Sequence, residues 1–218
     1  MAATRTESSL MATSNVDTKT AAVWTIAAIL GLTLFAPGLY LPVRGILDAP
    51  RSVAVAVYSG ALNGLLAGVV IGIGQYFALS GKSPSGRTWI GITILGATIG
   101  GAIVGPLQED LHRELRTIPT FGVPGMWMWV LSIAVWGACI ASGQFLVLRR
   151  YAPRAGWWVM IASGTWVPAT GTAFWLHDMF VNPLEATALD DYLWMIIPTG
   201  VIVGILQSAA LCRLLSPR

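Results

Sequence analysis

Long runs without charged residues alternate with short charged segments along this chain. Each run has at least the roughly 17 to 25 residues that an α-helix needs to cross a bilayer. We therefore predict an all-α integral membrane protein with six transmembrane helices. The runs are residues 21–43, 52–81, 88–107, 117–148, 155–176 and 192–212.

A short pattern recurs in the second, fourth and sixth of these runs. It contains two small residues four apart, a glutamine three residues later and a leucine four residues after that. These offsets return to nearly the same side of a helix with 3.6 residues per turn, so each copy predicts one narrow helix face. The copies are Gly68, Gly72, Gln75, Leu79; Gly137, Ala141, Gln144, Leu148; and Gly200, Gly204, Gln207, Leu211.

Tryptophans extend the pattern to the odd-numbered runs, because Trp24, Trp89 and Trp158 each stand near the start of one. The predicted unit is a helical hairpin, present three times at about residues 21–81, 86–150 and 155–216 of a single domain, 21–218. Residues 1–20, rich in Ser, Thr and Ala, are predicted to form a disordered cytoplasmic tail. We interpret the three tryptophans as anchors at the membrane interface, with an opposite belt formed by Trp127, Trp129, Trp175 and Trp194.

The small residues predict close helix contacts, since backbones in lipid associate by van der Waals packing. The residues assigned to helix packing are Gly64, Gly68, Gly72, Gly137, Ala141, Gly200 and Gly204. The glutamines Gln75, Gln144 and Gln207 need partners within the protein, because hydrocarbon offers none. Two interpretations stay open: each amide bonds across a helix interface, or the three converge on a polar site in a central cavity.

Only 11% of the residues are charged and 55% are hydrophobic, against about 25% charged in soluble domains. Basic residues concentrate in the segments on one side of the predicted spans, which places both termini in the cytoplasm. We expect a multi-pass protein of a bacterial plasma membrane in contact with lipid. The asymmetry accounts for the net charge of +3, so no nucleic-acid partner is expected.

The loops on the other side offer little chemistry. Leu107, Leu111 and Leu115 recur every four residues among charges, which predicts a short amphipathic helix on the outer surface. His112 and His177 are weak metal candidates, because no i,i+4 histidine pair or cysteine cluster accompanies them. Catalytic and phosphate-binding motifs are also missing from the sequence, so we predict neither a metal site nor an enzyme, and no cofactor is identified.

One repeated stretch resembles small multi-span bacterial membrane proteins with Gly-Gln-x-x-x-Leu hairpins. The resemblance rests on Gly143-Gln144, Leu148-Arg149-Arg150 and Ala155-Gly156-Trp157-Trp158, and it implies no activity. Two functions follow from the residues themselves. The first is an accessory or scaffold subunit of a membrane complex, with other membrane subunits or pigments as partners. The alternative is a transporter or channel for a neutral or weakly polar solute with a glutamine-lined site.

Overall fold

The computed structural model describes residues 19–33, 52–79, 86–115, 123–180 and 188–215. These residues are 93% helical and contain no strand, so the all-α prediction is confirmed for this part of the chain. The helices are α1 (Lys19–Thr33), α2 (Val53–Ala78), α3 (Gly86–Leu115), α4 (Val123–Leu148), α5 (Gly156–Gly164), α6 (Trp166–Phe180) and α7 (Ala188–Leu215).

Four of these helices are long and apolar enough to cross a membrane. The qualifying stretches are Val53–Ala78, Gly86–Leu107, Trp129–Leu148 and Leu193–Leu214. They correspond to the second, third, fourth and sixth uncharged runs of the sequence. The first run begins with the shorter apolar helix α1, and most of the rest of that run lies outside the described residues.

The fifth run is not the single helix that its composition predicts. It divides at Thr165 into α5 and α6. Pro168 supplies the reason, because it has no N–H to donate to the carbonyl of Gly164, and its ring crowds that carbonyl. The interruption is local, since Thr165 keeps right-handed helical angles of φ −67 and ψ −24.

Two predicted boundaries also change. The amphipathic segment around Leu107 is not a separate surface helix, because α3 continues through Pro106 to Leu115 as one helix. At the other boundary, α1 begins at Lys19, inside the predicted tail. Thr20 is buried, and its hydroxyl donates to the carbonyl of Ala78 at 3.2 Å, which fixes the start of α1 against the end of α2.

The packing order of the helices closes on itself. Going along the chain, α2 packs on α3, α3 on α4, α4 on α5 and α6, and α6 on α7. Helix α1 then lies between α7 and α2. A Cβ added at Gly200 of α7 would lie 2.9 Å from the Cα of Ile29, and one added at Gly74 of α2 would meet Ala27.

A close helix contact joins α2 to α3 through glycines on both helices. A Cβ at Gly60 would clash with the carbonyl oxygen of Gly101, and a Cβ at Gly101 would clash with that of Gly60. One turn further along, Gly64 faces the carbonyl of Ala97 in the same way. These positions admit no side chain, because the two antiparallel backbones occupy the space that it would need.

Candidate functional site

The three glutamines are buried in the second, fourth and sixth uncharged runs, in helices α2, α4 and α7. Four residues after each glutamine stands a buried leucine, and four residues before it stands a buried aliphatic side chain. Each amide therefore lies between two apolar positions on the same face of its helix. The leucines are Leu79, Leu148 and Leu211, and the aliphatic residues are Ile71, Ile140 and Val203.

Each glutamine accepts a hydrogen bond from the indole of a tryptophan on a different helix. An indole N–H can only donate, so the amide oxygen must face it and the amide nitrogen points elsewhere. This constraint assigns the amide orientation in all three pairs. The Nε1 to Oε1 distances are 3.3 Å from Trp89 to Gln75, 3.0 Å from Trp158 to Gln144 and 3.3 Å from Trp24 to Gln207.

The pairs connect helices in the same order as the packing. Gln75 and Trp89 are 14 residues apart in sequence, and so are Gln144 and Trp158. The third glutamine is paired with a tryptophan 183 residues away, since Trp24 lies on α1 and Gln207 on α7. The bonds thus join α2 to α3, α4 to α5, and the last described helix, α7, to the first, α1.

The first two glutamines share one hydrogen-bond network. Gln144 Nε2 donates to Gln75 Oε1 at 2.6 Å and to the hydroxyl of Thr93 at 3.0 Å. Together with Trp89 and Trp158 these residues form what we call the two-amide network. It connects α2, α3, α4 and α5, and every member is buried.

The third glutamine has different partners. Gln207 Nε2 donates to the carbonyl of Ala162 at 3.0 Å and to the hydroxyl of Thr165 at 3.2 Å. Ala162 lies in the last turn of α5, where carbonyls lose their partners within the helix and become available to side chains. With Trp24 these residues form the one-amide network, which connects α7, α1 and α5.

An aromatic contact joins the two networks. The rings of Trp24 and Trp158 meet edge to face, with centroids 5.9 Å apart and an interplanar angle of 84°. Such an arrangement places the positive edge of one ring against the negative face of the other. Of the three predicted glutamines, the structure therefore brings Gln75 and Gln144 into direct contact and links Gln207 to them through two indoles.

The interpretation of Trp24, Trp89 and Trp158 as interfacial anchors is wrong. Each is at most 1% exposed, so none can reach a headgroup. Their indole N–H groups are instead satisfied by glutamines inside the helix bundle. The proposed opposite belt is mixed: Trp175 and Trp194 are exposed, Trp129 is buried, and the side chain of Trp127 lies outside the described part.

The residues assigned to packing all lie against other helices or in the core. Added Cβ atoms would come within 2.8 Å of Ala97 from Gly68 and 3.3 Å of Ile90 from Gly72, and would collide with Trp166 from Gly137. Gly64, Gly200 and Gly204 likewise face Ala97, Ile29 and Thr25, and Ala141 is buried.

The metal candidates are not brought together among the described side chains. His177 Nδ1 lies 3.7 Å from a carboxylate oxygen of its neighbour Asp178. His112 lies on α3, but its side chain is outside the described set. Within that set, no three His, Cys, Asp or Glu side chains form a cluster that could hold a metal ion.

The two-amide and one-amide networks together form what we call the glutamine layer. It is built from amides, indoles and hydroxyls, which do not ionise near neutral pH. Its chemistry is therefore hydrogen bonding. Sequence reasoning identified the amides but missed Thr93 and Thr165, which accept from them. The indole–amide pairs were also missed. The signal available for them was the equal 14-residue spacing from Gln75 to Trp89 and from Gln144 to Trp158.

Comparison with known proteins adds no assignment, since no protein family, curated protein or solved structure matches this chain.

Proposed function

We propose that the protein is a non-enzymatic membrane protein that serves as an accessory or scaffold subunit of a membrane complex. The observation that carries the proposal is the internal satisfaction of the amides. Gln144 uses its nitrogen for Gln75 and Thr93 and its oxygen for Trp158, all of them protein groups. Polar groups that already have partners within the protein connect the helices and leave little hydrogen-bonding capacity for a solute.

The proposal includes six spans arranged as three hairpin repeats. Its support is that α1 and the α5–α6 pair occupy places in the closed packing order between the four long apolar helices. Helices α5 and α6 together cover residues 156–180, which is enough for one crossing. The indole–amide bond, formed once between each hairpin and the next and once between the last hairpin and the first, supports an internal repeat.

Both termini are proposed to be cytoplasmic. The described helix ends nearest the glutamine layer carry only basic charges, whereas the single acidic side chain among those described, Asp178, lies at the opposite end, near the C-terminus of α6. The positive-inside rule then orients the layer toward the cytoplasm. The basic residues at that end are Lys19, Arg87, Arg149, Arg150, Arg154 and Arg213.

Exposed aromatic side chains on the outside of the bundle support the proposal of partners. Phe180 and Trp194 stack with centroids 5.9 Å apart and an interplanar angle of 20°, and both are exposed. Trp175 and Met179 are also exposed on α6. An aromatic surface of this kind suits a neighbouring membrane subunit or a pigment as well as lipid.

The test is isolation from the membranes of the source cells in polymer-bounded native discs. We expect a second subunit or a pigment in fixed stoichiometry, and we expect its yield to fall when Phe180 and Trp194 are both changed to leucine. Tyr58→Leu with Phe77→Leu is the matched control, since both residues are exposed on α2. Recovery of the wild type as a lone monomer without pigment would refute the proposal.

A transporter or channel is the second candidate, and the contact between Gln75 and Gln144 favours it, because two amides from different spans meet at one place. The buried aliphatic residues on both sides of the glutamine layer favour the scaffold instead. Solute flux into proteoliposomes separates the two. A transporter loses flux when all three glutamines become leucine, provided that the variant still folds.

A further inference from the structure

The turn between α4 and α5, residues 149–155, concentrates positive charge on a short ordered segment. Arg149, Arg150 and Arg154 are all exposed, and so is the ring of Tyr151 between them. Trp157, in the first turn of α5, is 58% exposed. Five side chains of cationic or amphipathic type therefore face outward within nine residues.

The backbone of this turn is held by hydrogen bonds and by the core. Arg149 N donates to the carbonyl of Phe145 at 2.9 Å, and Trp157 N donates to that of Arg154 at 3.0 Å. Ala152 and Ala155 are buried in the same apolar cluster as the tryptophans and leucines of the glutamine layer. The turn is thus anchored by its alanines while its arginines project outward, and a partner need not order the backbone when it binds.

Neither helix dipoles nor acidic neighbours account for the three charges together. Arg149 and Arg150 follow the C-terminus of α4, where a cation is favourable, but Arg154 precedes the N-terminus of α5, where it is not. Among the described side chains the one carboxylate is that of Asp178, at the far end of α6. An anion from outside the described part of the chain therefore fits the turn.

We propose that this turn binds the headgroups of anionic phospholipids, an inference that rests on the membrane location proposed above. Guanidinium groups match phosphate geometry with paired hydrogen bonds. Tyrosine and tryptophan prefer the headgroup level of a bilayer, so Tyr151 and Trp157 place the arginines at the depth of the lipid phosphates. Each basic residue that reaches a lipid phosphate strengthens its attraction roughly fivefold. Three arginines in one turn act on the same headgroup and together provide a large preference over zwitterionic lipid, whereas cations on separate helices do not share a headgroup.

Native mass spectrometry of the purified full-length protein tests the proposal, in micelles containing equal amounts of phosphatidylglycerol and phosphatidylcholine. The wild type is expected to retain phosphatidylglycerol preferentially. The triple variant Arg149→Gln, Arg150→Gln, Arg154→Gln is expected to lose at least about tenfold of that preference. The matched control removes three charges from the same end but from three separate helices: Lys19→Gln, Arg87→Gln, Arg213→Gln. We expect it to lose less than about threefold.

Equal losses in the two triple variants would overturn the proposal, because charge alone would then explain the preference. Equal retention of both lipids by the wild type, or displacement of the lipid by inorganic phosphate, would also overturn it. All six substituted residues are exposed, and unchanged tryptophan fluorescence checks that each variant folds. The purified protein is used without partners, so failure to find a second subunit leaves this result unaffected.

Discussion

The two-amide and one-amide networks contain the same indole–amide bond but differ in what receives the amide hydrogens. In the two-amide network Gln144 donates to side chains, Gln75 and Thr93. In the one-amide network Gln207 donates to a backbone carbonyl, that of Ala162, and to Thr165. The common bond follows the sequence repeat, whereas the second partner depends on what the neighbouring helix offers at that depth.

The difference between the two second partners can be traced to residues at equivalent positions after the tryptophans. Thr93 stands four residues after Trp89, and Ala162 stands four residues after Trp158. Alanine has no hydroxyl, but α5 ends at Gly164, so the carbonyl of Ala162 is available in its last turn. A backbone carbonyl at a helix end thus takes the place of a polar side chain, and the amide nitrogens of both Gln144 and Gln207 have acceptors.

The largest effect is expected from Gln144→Leu. The substitution removes bonds to α2, α3 and α5 at once and leaves the buried N–H of Trp158 without its acceptor. We expect the free energy of unfolding to fall by about 2 to 3 kcal/mol. Titration with a denaturing detergent in mixed micelles measures this change. A loss below about 0.5 kcal/mol would mean that the two-amide network contributes little.

Gln207→Leu is expected to destabilise less, by about 1 to 2 kcal/mol. The carbonyl of Ala162 keeps a donor, because the hydroxyl of Thr165 also donates to it at 3.1 Å. The same detergent titration gives the comparison directly. If Gln207→Leu proved more damaging than Gln144→Leu, the ranking of the two networks would be wrong.

Replacing tryptophan by phenylalanine separates the three indoles. Trp158→Phe and Trp24→Phe leave Gln144 and Gln207 without their indole donors and weaken the contact between the two rings. Trp89→Phe leaves Gln75 still accepting from Gln144. We expect Trp89→Phe to be about 1 kcal/mol milder than the other two in the unfolding titration. Equal losses at all three positions would contradict this distinction.

The smallest effects are expected at the threonines, because each amide nitrogen keeps a second acceptor when one hydroxyl is removed. Thr93→Val leaves Gln144 bonded to Gln75, and Thr165→Val leaves Gln207 bonded to Ala162. Each variant should lose less than about 1 kcal/mol. A threonine variant less stable than its glutamine-to-leucine counterpart would show that the hydroxyls, not the amides, hold the layer.

Helical character and the buried face of the repeated pattern could be predicted from the sequence. Small residues, glutamine and leucine at offsets of 0, +4, +7 and +11 define one face of a helix whatever it packs against. The leucines Leu79, Leu148 and Leu211 are accordingly buried beside the glutamines. Local periodicity carries this information, and no knowledge of neighbouring helices is needed.

The partners of that face could not be predicted in the same way. Trp24 looked like an interfacial anchor because its acceptor, Gln207, lies at the other end of the chain. The tight contact of Gly60 with Gly101 could not be predicted either, because α3 has glycines on two sides and the sequence does not show which neighbouring helix each one faces. Gly100 of α3 faces Trp136 of α4, while Gly101 faces α2.

The division of the fifth uncharged run was missed for a different reason. Its composition is uniformly apolar, so hydropathy treats residues 155–176 as one helix. Pro168 carries the signal, but a proline in an apolar run can bend a helix as well as divide it. Because α5 ends at this division, the carbonyl of Ala162 is available to Gln207. This backbone acceptor is what distinguishes the one-amide network from the two-amide network.

The bond between Trp24 and Gln207 tests the account most directly, because it joins the first described helix to the last. A double-mutant cycle of Trp24→Phe and Gln207→Leu, measured by detergent unfolding, is predicted to give a coupling energy of about 1 kcal/mol. As a control, Trp24→Phe combined with Thr172→Val should be additive, since Thr172 is exposed on α6 and donates to its own helix at Pro168. Additive losses for Trp24→Phe and Gln207→Leu would contradict a helix bundle closed by indole–amide bonds.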